Sequence, residues 1–155
     1  MTTITEGQPA PAFDMATADG GRVTLDGFRG RTVVLYFYPK ADTPGCTNEA
    51  KSFTEHADAF AAAGATVIGV SRDPVKKLDR FKAKYDLKVI LGSDESGAVT
   101  EAFGVWVEKS MYGRTYMGIA RATFLIDATG VVRRVWPKVS VKGHAEEVLA
   151  AVHAL

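Results

Sequence analysis

The chain has one cysteine, Cys46, in the stretch Tyr36-Phe37-Tyr38-Pro39-Lys40-Ala41-Asp42-Thr43-Pro44-Gly45-Cys46-Thr47-Asn48-Glu49. Thr43 followed by Pro44 reads as a helix N-cap with proline at the first helical position, where its missing N–H does no harm. Cys46 is then expected in the first helical turn. Unpaired backbone N–H groups and the positive end of the helix dipole favour a thiolate there over a thiol, and the thiolate is the nucleophile. A lone cysteine is more commonly a small buried apolar residue. The flanking Thr43, Pro44, Gly45 and Thr47, in place of an apolar run, instead predict an exposed, activated sulfur.

Other chemistries find less support. A single cysteine forms no intramolecular disulfide and supplies neither a CxxC redox motif nor a cysteine-rich zinc site. His56, His144 and His153 lack the i,i+4 pairing of a zincin and have no clustered carboxylates beside them in sequence, so no metal site and no cofactor are expected. His144, beside Gly143, reads as a helix-start residue without a chemical role. The 19 basic and 18 acidic residues are mixed along the chain, so neither nucleic acid nor an anionic membrane is an expected partner. The alanine-rich stretch 59–70, interrupted by Gly64, falls short of the roughly 20 apolar residues of a membrane span. The first residues lack the basic start and apolar run of a secretory signal, which suggests a cytoplasmic protein.

The elements that must position Cys46 follow from patterning. With 155 residues, 46% hydrophobic, the chain is expected to form one domain over 1–155. Phe13 and Met15, then Val23 and Leu25, alternate with polar residues about a turn at 19–21, predicting an amino-terminal β-hairpin. The run 32–38 is almost wholly apolar and β-branched or aromatic, as in a central strand covered on both faces. Ala50, Phe53, Ala57 and Phe60 recur at helical spacing between Pro44 and about Ala63, and Gly64 supplies the stop.

A strand at 65–70, a helix carrying Leu78, Phe81 and Tyr85, and a short strand near 89–91 continue a β-α-β alternation. Residues 93–121, broken by Gly97, Gly104, Gly113 and Gly118, read as a short helix followed by irregular or edge structure. Strands at 122–126 and 131–136 flank a turn at 127–130, and Val148, Leu149 and Val152 mark a closing helix. This is the order of an α/β, thioredoxin-like three-layer sandwich, a fold that does not by itself assign function. Tyr36, Phe37, Tyr38, Trp106 and Trp136 read as packing residues.

The spacing Pro39-xxx-Thr43-xx-Cys46 resembles the active-site pattern of the peroxiredoxins. YFYPKADTPGCTNEA is similar to their PrxQ, or bacterioferritin comigratory protein, subfamily, as are the segments 109–113 and 118–127. The resemblance implies a thiol-dependent peroxidase acting on hydrogen peroxide and organic hydroperoxides. It implies that Cys46 is the peroxidatic cysteine, Thr43 hydrogen-bonds the sulfur and the peroxide, Pro39 shields the pocket, Arg121 supplies positive charge, and Glu49 orients an arginine. It also implies a monomer. The plainer readings are a capping threonine, a surface arginine and a solvated helix carboxylate, and capping by Thr43 can coexist with a catalytic role.

Many members of that subfamily carry a resolving cysteine five residues after the first, where this chain has Lys51, or on the following helix, where 74–85 contain none. The resemblance therefore implies a one-cysteine enzyme recycled by an external thiol: thioredoxin, glutaredoxin with glutathione, or another low-molecular-weight thiol. Two other functions remain open to the residues. One is a non-enzymatic binding or sensing module of the same fold, and the other a disulfide oxidoreductase, whose chemistry normally uses paired cysteines.

Overall fold

The computed structural model describes residues 2–155. In chain order the elements are β1 (Asp14–Thr17), β2 (Arg22–Thr24), β3 (Thr32–Phe37), α1 (Pro44–Glu55), α2 (Ala57–Ala62), β4 (Ala65–Ser71), α3 (Val75–Tyr85), β5 (Ile90–Ser93) and α4 (Ala98–Ala102). They continue with β6 (Trp106–Met111), β7 (Arg114–Ile119), β8 (Ala122–Ile126), β9 (Val132–Trp136) and α5 (His144–His153).

The main sheet has the order β2-β1-β5-β4-β3-β8-β9. β3 runs parallel to β4 and antiparallel to β8, so the strand leading to Cys46 lies near the middle. Its unbroken apolar run is explained by burial on both sides. Val34, Tyr36 and Tyr38 enter a core with Phe53 and Phe60 from α1 and α2, Leu78 and Phe81 from α3, and Val148 and Val152 from α5. Val33, Leu35 and Phe37 alternate into a second core with Val99 of α4, Phe103 just after it, Phe13, Met15 and Phe124. Helices thus cover both faces of a mixed sheet, in the three layers expected of a thioredoxin-like fold.

Two local expectations need correction. The helix predicted from Pro44 to about Ala63 is two helices, because the His56 backbone turns to φ −102, ψ 8 and its amide donates to the Phe53 carbonyl at 3.2 Å, one residue short of the α-helical partner. Residues 106–119, expected to be irregular or edge structure, form a regular two-stranded hairpin outside the main sheet. Its side chains are largely exposed on both faces, so no alternation marks it in the sequence. The amino-terminal hairpin is present, but its turn is a short 3-10 helix at Ala18–Gly20.

Candidate active site

Cys46 lies in the first turn of α1, as the Thr43-Pro44 pair predicts, where amide N–H groups lack an i−4 carbonyl inside the helix. The sulfur is not exposed, contrary to the sequence reading, since the residue retains 2% of its accessible surface. The helix-start motif fixes where the turn begins but not which way its third residue points, and Cys46 faces the core with Ala50 and Phe53. Thr43 occupies the N-cap position without capping through its side chain. Its hydroxyl donates instead to the Lys40 carbonyl at 2.7 Å, leaving the oxygen lone pairs as acceptors.

Arg121 reaches the cysteine from 75 positions further along the sequence. Its Nη2 is 3.4 Å from Cys46 Sγ, and its Nη1 donates to Glu49 Oε1 at 2.7 Å. The backbone that carries it is pinned on both sides, by the Val139 amide on the Arg121 carbonyl and by the Ala120 amide on the Val105 carbonyl. Gly45 gives the guanidinium room, since a Cβ at that position would lie 3.3 Å from Arg121 Nη2. Arg121 is therefore not the surface arginine of the plain reading.

Glu49 is one helical turn beyond Cys46 on the same face and 1% exposed. Burial pushes its carboxyl up to about 7, although the Arg121 charge and hydrogen bond pull the other way. Its second oxygen, Oε2, is buried with no hydrogen-bond partner among the described residues. Arg121 loses some preference for its charged form through burial, and regains more from Glu49 and Cys46. One guanidinium thus bridges a carboxyl group and the sulfur.

Behind these groups the Tyr36 ring stacks on Phe53, with centroids 4.7 Å apart, and lies over Gly69 of β4. Burial raises the Tyr36 phenol well above its ordinary range, and its hydroxyl has no partner among the described residues. His144, to which the sequence assigns no chemical role, shares a 2.8 Å hydrogen bond with Thr123 and packs edge-on against Phe53 and Trp136.

The loop before α1 is held from α3, a feature no sequence motif revealed. Asp42 adopts φ 60, a left-handed conformation aspartate tolerates better than most residues. It accepts hydrogen bonds from Tyr85 Oη at 2.8 Å and Lys84 Nζ at 3.0 Å, while the Ala41 amide donates to Asp73 at 2.7 Å. Of the residues read from sequence, Arg121 contacts both Cys46 and Glu49, Thr43 stands at the N-cap of α1 with its hydroxyl on the Lys40 carbonyl, and Pro39 is exposed at the exit of β3. Among the described residues no group of three or more His, Cys, Asp and Glu side chains is placed to hold a metal ion, and no helix is long and apolar enough to cross a membrane.

A thioredoxin-like sheet that presents a guanidinium-bound cysteine at a helix start defines the class as a thiol-dependent peroxidase, a peroxiredoxin. Residues 6–135 match the model of the AhpC/TSA family. The chain belongs to that family, within its PrxQ, or Bcp, branch. It is 48% identical over 147 residues to the putative peroxiredoxin bcp of Coxiella burnetii, with 95% of this chain and 97% of that protein covered. A PrxQ mutant of Xylella fastidiosa superposes with a TM-score of 0.94 at 37% identity, covering 99% and 98% of the two chains. The Xanthomonas campestris bacterioferritin comigratory protein, whose structures address alkyl peroxide reduction, matches with a TM-score of 0.87 at 44% identity, covering 92% of this chain and 90% of that one. The enzyme reduces peroxides at the expense of a thiol.

Proposed function

We propose that Cys46 is the peroxidatic nucleophile and that Arg121, Thr43, Glu49 and Pro39 complete its site. The observation that carries this is the 3.4 Å contact between Arg121 Nη2 and Cys46 Sγ in the first turn of α1. Attack of the thiolate on one peroxide oxygen forms an S–O bond and breaks the O–O bond. The departing oxygen takes up a proton and leaves as water or alcohol, and the sulfur remains as sulfenic acid.

Negative charge moves from sulfur to the departing oxygen during this step, so a fixed guanidinium beside the sulfur stabilises the transition state more than the ground state. The Thr43 hydroxyl, with its hydrogen committed to Lys40, accepts a hydrogen bond from the peroxide O–H and orients it. Glu49 positions Arg121, and Pro39 walls the entrance. The substrates are hydrogen peroxide and organic hydroperoxides.

Because Cys46 is the chain's one cysteine, the sulfenic acid is recycled by an external thiol, either thioredoxin, glutaredoxin with glutathione, or another low-molecular-weight thiol. We place this single-domain enzyme as a monomer in the cytoplasm, where thiols are kept reduced. The decisive measurement is peroxide consumption with dithiothreitol, alongside mass spectrometry of the protein after a sulfenic-acid trap. Many turnovers and a trap adduct on Cys46 are expected, with both lost in Cys46→Ser. A single equivalent consumed per chain would make the protein a sensor instead.

A further inference from the structure

Next to the Cys46 site, between the base of the β6–β7 hairpin and the segment 137–139, is an open cavity of about 490 Å3. Val107, Ala120 and Val139 give it apolar walls, and Lys109, Lys138 and Arg121 give it three cations against the one acid, Glu108. Arg121 belongs to both places, lining the cavity while its Nη2 touches Cys46 Sγ. A molecule held here lies one side chain from the reacting sulfur.

The two lysines are not occupied elsewhere. Among the described residues neither has a carboxylate within ion-pair distance, whereas Arg121 already serves Glu49. The stem of Lys109 crosses Gly118 on the paired strand, with its Cδ 3.2 Å from where a Cβ would stand, so a side chain at that position would displace it. Partial burial and the neighbouring Arg121 charge both disfavour the protonated Lys109 amine. An anion arriving between these groups would relieve that repulsion.

From this arrangement we propose that the cavity binds the carboxylate of a small anionic thiol, and that Lys109 and Lys138 thereby select the reductant that recycles Cys46. This rests on the reading of Cys46 as a peroxidatic cysteine with no internal resolving thiol. The bound thiolate attacks Cys46 Sγ, an S–S bond forms, and the S–O bond of the sulfenic acid breaks. The oxygen leaves with its hydrogen and one further proton as water. A second thiol then attacks the mixed disulfide, giving a free small-molecule disulfide and reduced Cys46.

The test reads the rate of sulfenic-acid reduction for three small thiols, each corrected to its thiolate fraction: 3-mercaptopropionate, neutral 2-mercaptoethanol and cationic cysteamine. In the unaltered enzyme the carboxylate thiol should exceed the neutral one by about fivefold, the worth of a favourable exposed ion pair, and the advantage should shrink with added salt. Lys138→Glu, at an exposed position, should remove it, and Lys109→Glu combined with Lys138→Glu should turn the preference towards cysteamine.

Equal carboxylate-to-neutral ratios in all three proteins would overturn the proposal. So would a charge preference that follows a carboxylated hydroperoxide in the peroxide step and leaves the thiol step unaffected. Failure of dithiothreitol to support any turnover would instead strike the peroxidase reading itself, so the two failures are distinguishable.

Discussion

Arg121 joins Glu49 and Cys46 through different nitrogens of one guanidinium, Nη1 at 2.7 Å from Glu49 Oε1 and Nη2 at 3.4 Å from Cys46 Sγ. A planar fork offers each group its own nitrogen at a fixed separation, which a single ammonium nitrogen does not. Arg121→Lys should therefore lower the second-order rate of Cys46 with hydrogen peroxide by about 10²-fold, the loss seen when a preorganised donor is removed from a transition state. Stopped-flow measurement of the peroxide step, with the thiol step excluded, checks it. An undiminished rate would show that the charge beside the sulfur is dispensable.

The raised carboxyl of Glu49 predicts a pH dependence of stability. Its pKa of about 7 in the folded protein lies above the unfolded value near 4.5, so the native state holds the extra proton between those values. Stability should accordingly decline as pH rises from about 4.5 through 7. Glu49→Gln, which stays neutral and keeps an oxygen for Arg121, should flatten that part of the curve. Denaturant melts of both proteins across this range provide the comparison, and parallel curves would refute the assignment.

Gly45 tests the fit beneath Arg121. It is not at positive φ, so alanine can take its backbone conformation, yet the added methyl would lie 3.3 Å from Nη2. Gly45→Ala should leave the melting temperature within a few degrees of the parent while slowing the peroxide step by about tenfold, since small misplacements of a catalytic group are costly. Retention of full rate would mean the guanidinium yields without consequence.

Tyr36 and Gly69 are paired across β3 and β4, and a Cβ on Gly69 would come within 2.5 Å of the Tyr36 ring. Gly69→Ala should destabilise the protein by about 1–3 kcal/mol through overpacking. Tyr36→Phe should have the opposite sign, stabilising by about 1 kcal/mol, because it removes a buried hydroxyl that has no partner among the described residues. Urea titrations resolve both effects, and a destabilised Tyr36→Phe protein would reveal a partner for that hydroxyl.

Much of this site was readable before the structure because it is local. The apolar run into β3 and the Thr43-Pro44 start of α1 follow from burial on two faces and from the geometry of a helix terminus. The direction of the Cys46 side chain and the burial of Glu49 depend on what packs against α1, and a carboxylate one turn along a helix looks the same in sequence whether solvated or enclosed. Arg121, 75 positions away from Cys46, was reachable only through resemblance to a family. The hairpin of β6 and β7 escaped because neither face is buried enough to impose a period of two, and the break at His56 because it involves neither glycine nor proline.

The pairing of β3 with β8, with Phe37 opposite Ala122, has a consequence for how this enzyme can be altered. The chain runs on towards Cys46 from the end of β3 and arrives from Arg121 at the start of β8, so sulfur and guanidinium are carried at the same end of two neighbouring strands. The tip between Met111 and Arg114 is no part of that ladder. It is a natural place to lengthen, label or graft sequence, and the chemistry near Cys46 should pass through such surgery unharmed.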